Sequence, residues 1–173
     1  MRASRLIALV VGLLVAGAGS AHVMAAPKVT APITVLLGGL GCNTAVGADT
    51  FAAQSWQWGA SSPVVIGGSG GGQGKASVSE LVMTRAADAC SPALLGGVLA
   101  GKHFGSLTLS QYDVAGVLKA TVVLTEVFVT GWSIGASSSS PDAGESVSFA
   151  FEKLTFTDIA SGNKVSYDAS GKS

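Results

Sequence analysis

Side chains able to do chemistry are sparse in this sequence of 173 residues, which holds two cysteines and two histidines. Cys42 and Cys90 have no His or Cys near them at metal-ligand spacing, so they do not read as a metal site. In an oxidising compartment, a pair of lone cysteines in a small domain reads as a disulfide. It would close a loop of 48 residues. Past the N-terminal segment the only histidine is His103, one residue beyond Lys102. A cation just after a helix C-terminus favours capping or a surface role. A hydrolase would need His103 to meet a nucleophile and an orienting carboxylate, and no serine elbow is expected. Glu145 and Glu152 fall on one strand pattern, which allows both to be solvated. Their spacing permits a glycosidase pair, but no polar-aromatic cluster surrounds them.

Gly67 to Gly74 contains six glycines in eight positions and runs into Lys75, which resembles a phosphate loop at first sight. That motif needs Gly at position 69 and Ser or Thr at 76, where this chain has Ser69 and Ala76. A strand pattern follows instead of the helix that would hold a phosphate. The run is expected to be an inter-strand loop. No catalytic, cofactor-binding or metal-binding residue is expected.

The elements that must position these groups are mostly strands. Val147, Phe149 and Phe151 alternate with Ser146, Ser148 and Ala150, the period of a half-buried strand. The large residues then change parity at Leu154 and Phe156, which predicts a bulge near residues 152 to 153. Val117 to Ile134 is β-branched and aromatic, too long for one flat strand, and is expected to bend near Thr125-Glu126 or Gly131. Weaker strand signals cover residues 33–37, 51–58, 76–84 and 106–112, and Ser137 to Pro141 is expected to be a flexible connection. Trp56 and Trp58 share a parity and are expected in the core or at a subunit contact. These patterns predict an antiparallel sheet, rolled into a barrel or stacked as a sandwich.

One short helix interrupts the strands, within the stretch from Ser91 to Gly101. Ser91 is the expected N-cap, Pro92 the first helical residue and Gly101 the left-handed terminator. Leu94, Leu95, Val98 and Leu99 are expected to share the packed face. Gly96 and Gly97 each cost about 1 kcal/mol relative to Ala, so this helix depends on packing.

Arg2 and Arg5 precede an uncharged apolar run from Leu6 to Gly19, followed by small residues. This is the order of a secretory signal, with cleavage expected after Ala25 and Ala21 nearly as suitable. The run of about 14 residues is shorter than the ~20 that a spanning helix needs. Residues 26–173 are then expected to form a single domain, with eight basic and ten acidic residues. Charge this balanced, without a basic block, argues against a nucleic-acid binder, and 48% hydrophobic residues argue against disorder.

An ordered set of segments resembles the haemolysin-coregulated protein (Hcp) family. It comprises Ser55-Trp56-Gln57-Trp58-Gly59, then Gly74-Lys75-Ala76-Ser77-Val78-Ser79-Glu80-Leu81, then Ser91-Pro92-Ala93-Leu94-Leu95 with Gly101-Lys102-His103. Leu124-Thr125-Glu126-Val127-Phe128-Val129 and the segment from Glu145 to Leu154 continue the match. The resemblance implies a small antiparallel β-barrel with one short α-helix, assembled as a hexameric ring. Such rings stack into the tube of the type VI secretion system, whose lumen can carry effectors, and no catalytic residue or cofactor is implied. The chain departs from the pattern in its N-terminal signal, in its cysteines and in a shorter Gly41 to Phe51 region. Two readings follow: a secreted or periplasmic ring-forming structural protein, or an exported binding module that reuses the barrel.

Overall fold

The computed structural model describes residues 31–64 and 74–170. Cleavage positions Ala21 and Ala25, and the glycine run up to residue 73, lie outside the described residues. In chain order the strands before the helix are β1 (Ile33–Leu37), β2 (Asn43–Thr44), β3 (Gly47–Ala48), β4 (Thr50–Ala52), β5 (Ser55–Gln57), β6 (Ala60–Ser61), β7 (Ser77–Val78) and β8 (Leu81–Ala86). Helix α1 (Ser91–Ala100) separates them from β9 (His103–Tyr112), β10 (Leu118–Ser137), β11 (Ser140–Asp158) and β12 (Lys164–Asp168).

The main sheet is antiparallel, in the order β4-β1-β9-β10-β11-β8-β5, with β12 also paired to β11. Its two ends are consecutive in the chain. Ala53 donates its N–H to the Ile33 carbonyl beside β4 (3.0 Å), and Gln54 donates to the Thr84 carbonyl beside β5 (2.8 Å). One kinked segment therefore leaves β1 and joins β8 between adjacent residues, bringing the sheet round on itself as a small barrel. The two edge strands that an open sheet would expose are brought together at this point.

Inward residues such as Val35, Leu37, Phe51, Leu81, Met83, Leu107, Leu109, Val122, Leu124, Val147 and Phe149 fill the interior. The expected bulge at residues 152 to 153 is absent. On β10 the buried positions are even up to Leu124 and odd from Val127 to Val129, while β9 changes from Phe104 to Leu107 and β11 from Phe149 to Leu154. Glu126 has φ +55° and no paired residue on either neighbour, yet the register on both sides continues unbroken. A bulge in one strand alone would have shifted that register. Here three strands change parity together, so the sheet bends at the level of Glu126. A second expected break is present as a register shift between Val129 and Gly131.

Two connections differ from expectation. Ser137 pairs with Ser140, so β10 and β11 meet in a tight hairpin where a flexible link was expected. Strand β12 carries little sequence signal: Lys164 to Asp168 is short, and only Val165 and Tyr167 break its polar pattern. Trp56 and Trp58 are both half-buried against the core, as their shared parity implied.

Helix α1 packs against β10 with Leu94 and Gly97 buried. Gly101 ends it at φ +58°, and the Gly101 and Lys102 N–H groups bond the Val98 and Gly97 carbonyls. The N-cap is Cys90, one residue earlier than expected, and it makes no side-chain cap bond. The Ser91 hydroxyl instead accepts the N–H of Asp88 at 2.9 Å. Leu99 is 78% exposed, so the packed face is narrower than the leucine spacing implied. The two interior glycines also differ. A methyl at Gly96 meets open space, whereas at Gly97 it touches Val129 and Phe104 at 3.4–3.5 Å. Gly96→Ala is expected to raise stability by roughly 0.5–1 kcal/mol. Gly97→Leu is expected to lower it by about 1–3 kcal/mol through overpacking, both read from urea midpoints.

Candidate functional site

The strand pairing opens a cleft beside β11. This strand pairs β10 along its length, but its other edge pairs β8 at residues 144–149 and β12 at residues 153–157. Between them, Ala150 to Glu152 have no strand partner on that edge, apart from the Ala169 N–H donated to the Glu152 carbonyl. The gap is lined by Ser79, Glu80, Phe151 and Tyr167. Other hollows share lining residues with it: one of about 520 Å³ at Gln57, Trp58 and Val82 shares Ser79 and Glu80, and one of about 510 Å³ at His103, Glu126 and Phe128 shares Ala150 and Phe151. The concerted parity change faces the second hollow, because Glu126 and Glu152 both line it.

His103 stands here on β9 and takes no part in capping α1. Its Nε2 lies 2.6 Å from the Glu126 carboxylate, and its ring is 5.0 Å from that of Phe128. Histidine and glutamate are both about half exposed. Two stretches carry the Gly-x-Ser-x-Gly spacing after all. Gly67 to Gly71 lies outside the described residues, and Gly131 to Gly135 runs within β10. Ser133 is paired with Ser146 in mid-strand, with no helix following, so the spacing there does not make a nucleophile elbow. Among the described residues no group of three or more His, Cys, Asp and Glu is arranged to hold a metal ion.

The two carboxylates that the strand pattern allows in solvent are separated by the fold. Glu152 is at the cleft, but Glu145 is buried and paired across the strands with Arg85, whose side chain is also buried. The Arg85 Nη1 is 3.2 Å from the Glu145 carboxylate, and its Nη2 pairs with Asp88. The guanidinium carbon lies 4.5 Å from the centre of the Phe51 ring. These are charge contacts whose angles fall short of hydrogen-bond geometry. The charge of Arg85 and Glu145 argues against burial in the sequence. The signal was present: Arg85 shares parity with Leu81 and Met83, and Glu145 with Val147 and Phe149.

Cys42 and Cys90 are brought together, with Cα atoms 5.1 Å apart and the sulfurs joined. That span lies within the range a disulfide bridges. Cys90 also donates its N–H to Asp88 at 2.7 Å, so the bridge abuts the Arg85 pair. On the other side, Asp49 receives the N–H groups of Gly41 (2.6 Å), Cys42 (3.2 Å) and Gly39 (3.1 Å). Lys102 reaches the Gly39 carbonyl at 2.6 Å. The loop from Gly38 to Asp49 is therefore held at three places.

The Gly41 N–H does most to hold the Asp49 carboxyl below its ordinary value of 3.8, with Cys42 and Gly39 adding to it. A depressed folded-state pKa gives stability that is complete above the unfolded value and lost as pH falls through the folded one. Hydrogen exchange in residues 39–49 should accelerate relative to the barrel strands as pH drops below about 4. Asp49→Asn, which tolerates the same positive φ, should remove that difference.

A sequence model of the family described as "Type VI secretion system effector, Hcp" matches residues 41–157, more than half of the chain. No curated protein matches by sequence. Among solved structures, a type VI secretion system effector from Yersinia pestis is 24% identical with a TM-score of 0.63, covering 79% of this chain and 98% of its own. Hcp1 from Salmonella typhimurium is 20% identical with a TM-score of 0.65, covering 80% and 94%. Hcp1 from E. coli EAEC 042 is 19% identical with a TM-score of 0.67, covering 80% and 99%. At such identities the structural likeness speaks for the fold.

Proposed function

Because the chain belongs to the Hcp family of type VI secretion proteins, we propose that it is a non-enzymatic structural subunit that self-associates into a hexameric ring and is exported. The observation that carries this reading is the family match across nearly the whole barrel, from residue 41 to 157. Helix α1 supports self-association. It has no charged residue, yet Leu99 is 78% exposed and Gly96 is open, and an uncharged helix of this kind is ordinarily covered. Export is supported by the Arg2/Arg5 and Leu6 to Gly19 pattern and by the proximity of Cys42 and Cys90. We place the processed chain, from residue 26, outside the cytoplasm with the disulfide formed.

The test is light scattering on the processed protein recovered from an oxidising compartment. A mass six times that of the chain is expected, and a strictly monomeric protein would overturn the ring. Mass spectrometry of the same sample reads the cleavage site, expected after Ala25. The second reading, an exported binding module, is favoured by the cleft beside β11 and predicts a monomer or dimer that still binds a ligand.

A further inference from the structure

Among the described residues, two bonds join helix α1 to the loop from Gly38 to Asp49. At the start of the helix the Cys42–Cys90 bridge links the loop to the N-cap. Just past its end, Lys102 Nζ reaches the Gly39 carbonyl at 2.6 Å. That second bond is exposed, so water competes for it, whereas the first is covalent. Asp49 shapes the loop from within by accepting three of its N–H groups, and Leu40 is buried in the core. Asp88 and Ser91 close the turn that enters the helix, and Arg85 ties that turn to β8. None of these hydrogen bonds or ion pairs crosses from loop to helix.

Helix α1 is weak in its own right. Its ten residues include two interior glycines, its N-cap makes no side-chain bond, and its ends carry no charge to complement the dipole. A helix this short is marginal without packing, and only Ser91, Leu94 and Gly97 are buried.

We propose that the bridge is an assembly latch set by the redox compartment; this rests on the reading that α1 is covered by a neighbouring copy. Before export both cysteines are thiols, the Lys102 bond alone joins loop to helix, and the surface that a neighbour covers is mobile. The cost of ordering a mobile segment on contact is subtracted from the affinity. In an oxidising compartment the two thiols give up two protons and two electrons to an exchanging disulfide, which leaves as two thiols, and the Cys42–Cys90 bond forms. Loop and helix are then ordered beforehand, and association strengthens. A chain that leaves behind an N-terminal signal leaves before it assembles, and the latch enforces that order. Once closed it is shielded: Cys90 is fully buried and Cys42 is 9% exposed, so a soluble thiolate reaches the bridge only when the loop opens.

Sedimentation velocity over a dilution series reads the dissociation of the oxidised, processed protein. Beside it run Cys42→Ser with Cys90→Ser, and the corresponding alanine pair, which keeps both sites apolar. Circular dichroism selects the variants that are folded. They are expected to dissociate at concentrations at least about tenfold higher than the oxidised protein. Leu109→Ala keeps the bridge but lowers stability through a core cavity outside loop and helix, and it should shift dissociation by less than about twofold. Lys102→Met in the oxidised protein opens the other fastening and should shift it by about two- to fivefold, whether or not the cysteine variants fold. Cysteine variants that assemble like the oxidised protein would overturn the latch and leave the ring standing. So would an unshifted Lys102→Met, or a shift in Leu109→Ala as large as that of the cysteine variants. An oxidised protein that is monomeric at every concentration would remove the ring and the latch with it.

Discussion

Arg85→Met is expected to destabilise the barrel by about 3–5 kcal/mol, the cost typical of leaving one member of a buried ion pair without its partner. The magnitude rests on position. Arg85 and Glu145 are direct cross-strand partners in the β8–β11 ladder and are buried among Leu81, Met83, Val147 and Phe149. Removing the guanidinium leaves the Glu145 carboxylate in an apolar interior with no other cation in contact among the described residues. Asp88 is less affected because it is partly exposed and still accepts the Cys90 N–H. The double variant Arg85→Met with Glu145→Leu should recover most of the loss, since apolar replacement of a buried pair is often neutral or stabilising. Urea denaturation of the two single variants and the double variant forms a cycle. A double variant no more stable than either single one would show that the pair holds the strands by more than charge balance.

The same pair shows how far the sequence could be read. Strand positions from Ile33 to Leu37 and around Ser106 to Tyr112 were legible because their apolar alternation reports directly on burial. So were the bends near Glu126 and Gly131, where a long β-rich run had to change direction. Arg85 and Glu145 lay on the inward parity, but composition-based reasoning assigns charges to solvent, and only strand pairing reveals that opposite charges meet. The cleft was less legible still. It arises where β11 exchanges β8 for β12, and β12 is too polar and short to announce itself. Phe151 and Tyr167 are 16 positions apart in sequence, and nothing in either segment alone indicates that they share a gap. Helix α1 is legible in the sequence, but its buried face is narrower than the leucine spacing implies: the spacing marks residues able to pack, while the buried ones are Ser91, Leu94 and Gly97.

Removing the Cys42–Cys90 bridge should have an effect of comparable size. A link across 48 residues restricts the unfolded chain by an amount that the loop-entropy model places at roughly 4 kcal/mol. The folded state adds a local consequence. Cys42 anchors the Gly38 to Asp49 loop, and Cys90 is the N-cap residue of α1, so the bridge fastens a loop otherwise held by Asp49 and Lys102 to the start of the helix. Reduction should therefore lower the urea midpoint and also raise hydrogen exchange in residues 38–49 and in the first turn of α1. The rest of the core should change less, because Val35, Leu109, Val122 and Leu124 lie on strands paired in the β1–β9–β10 ladder. Cys42→Ser with Cys90→Ser should reproduce both effects without reductant, whereas reductant should leave that double variant unchanged. If stability fell with no local rise in exchange, the bridge would act on the unfolded chain alone. A processed protein that released no thiols on reduction would remove the bridge itself, and with it one of the two supports for export.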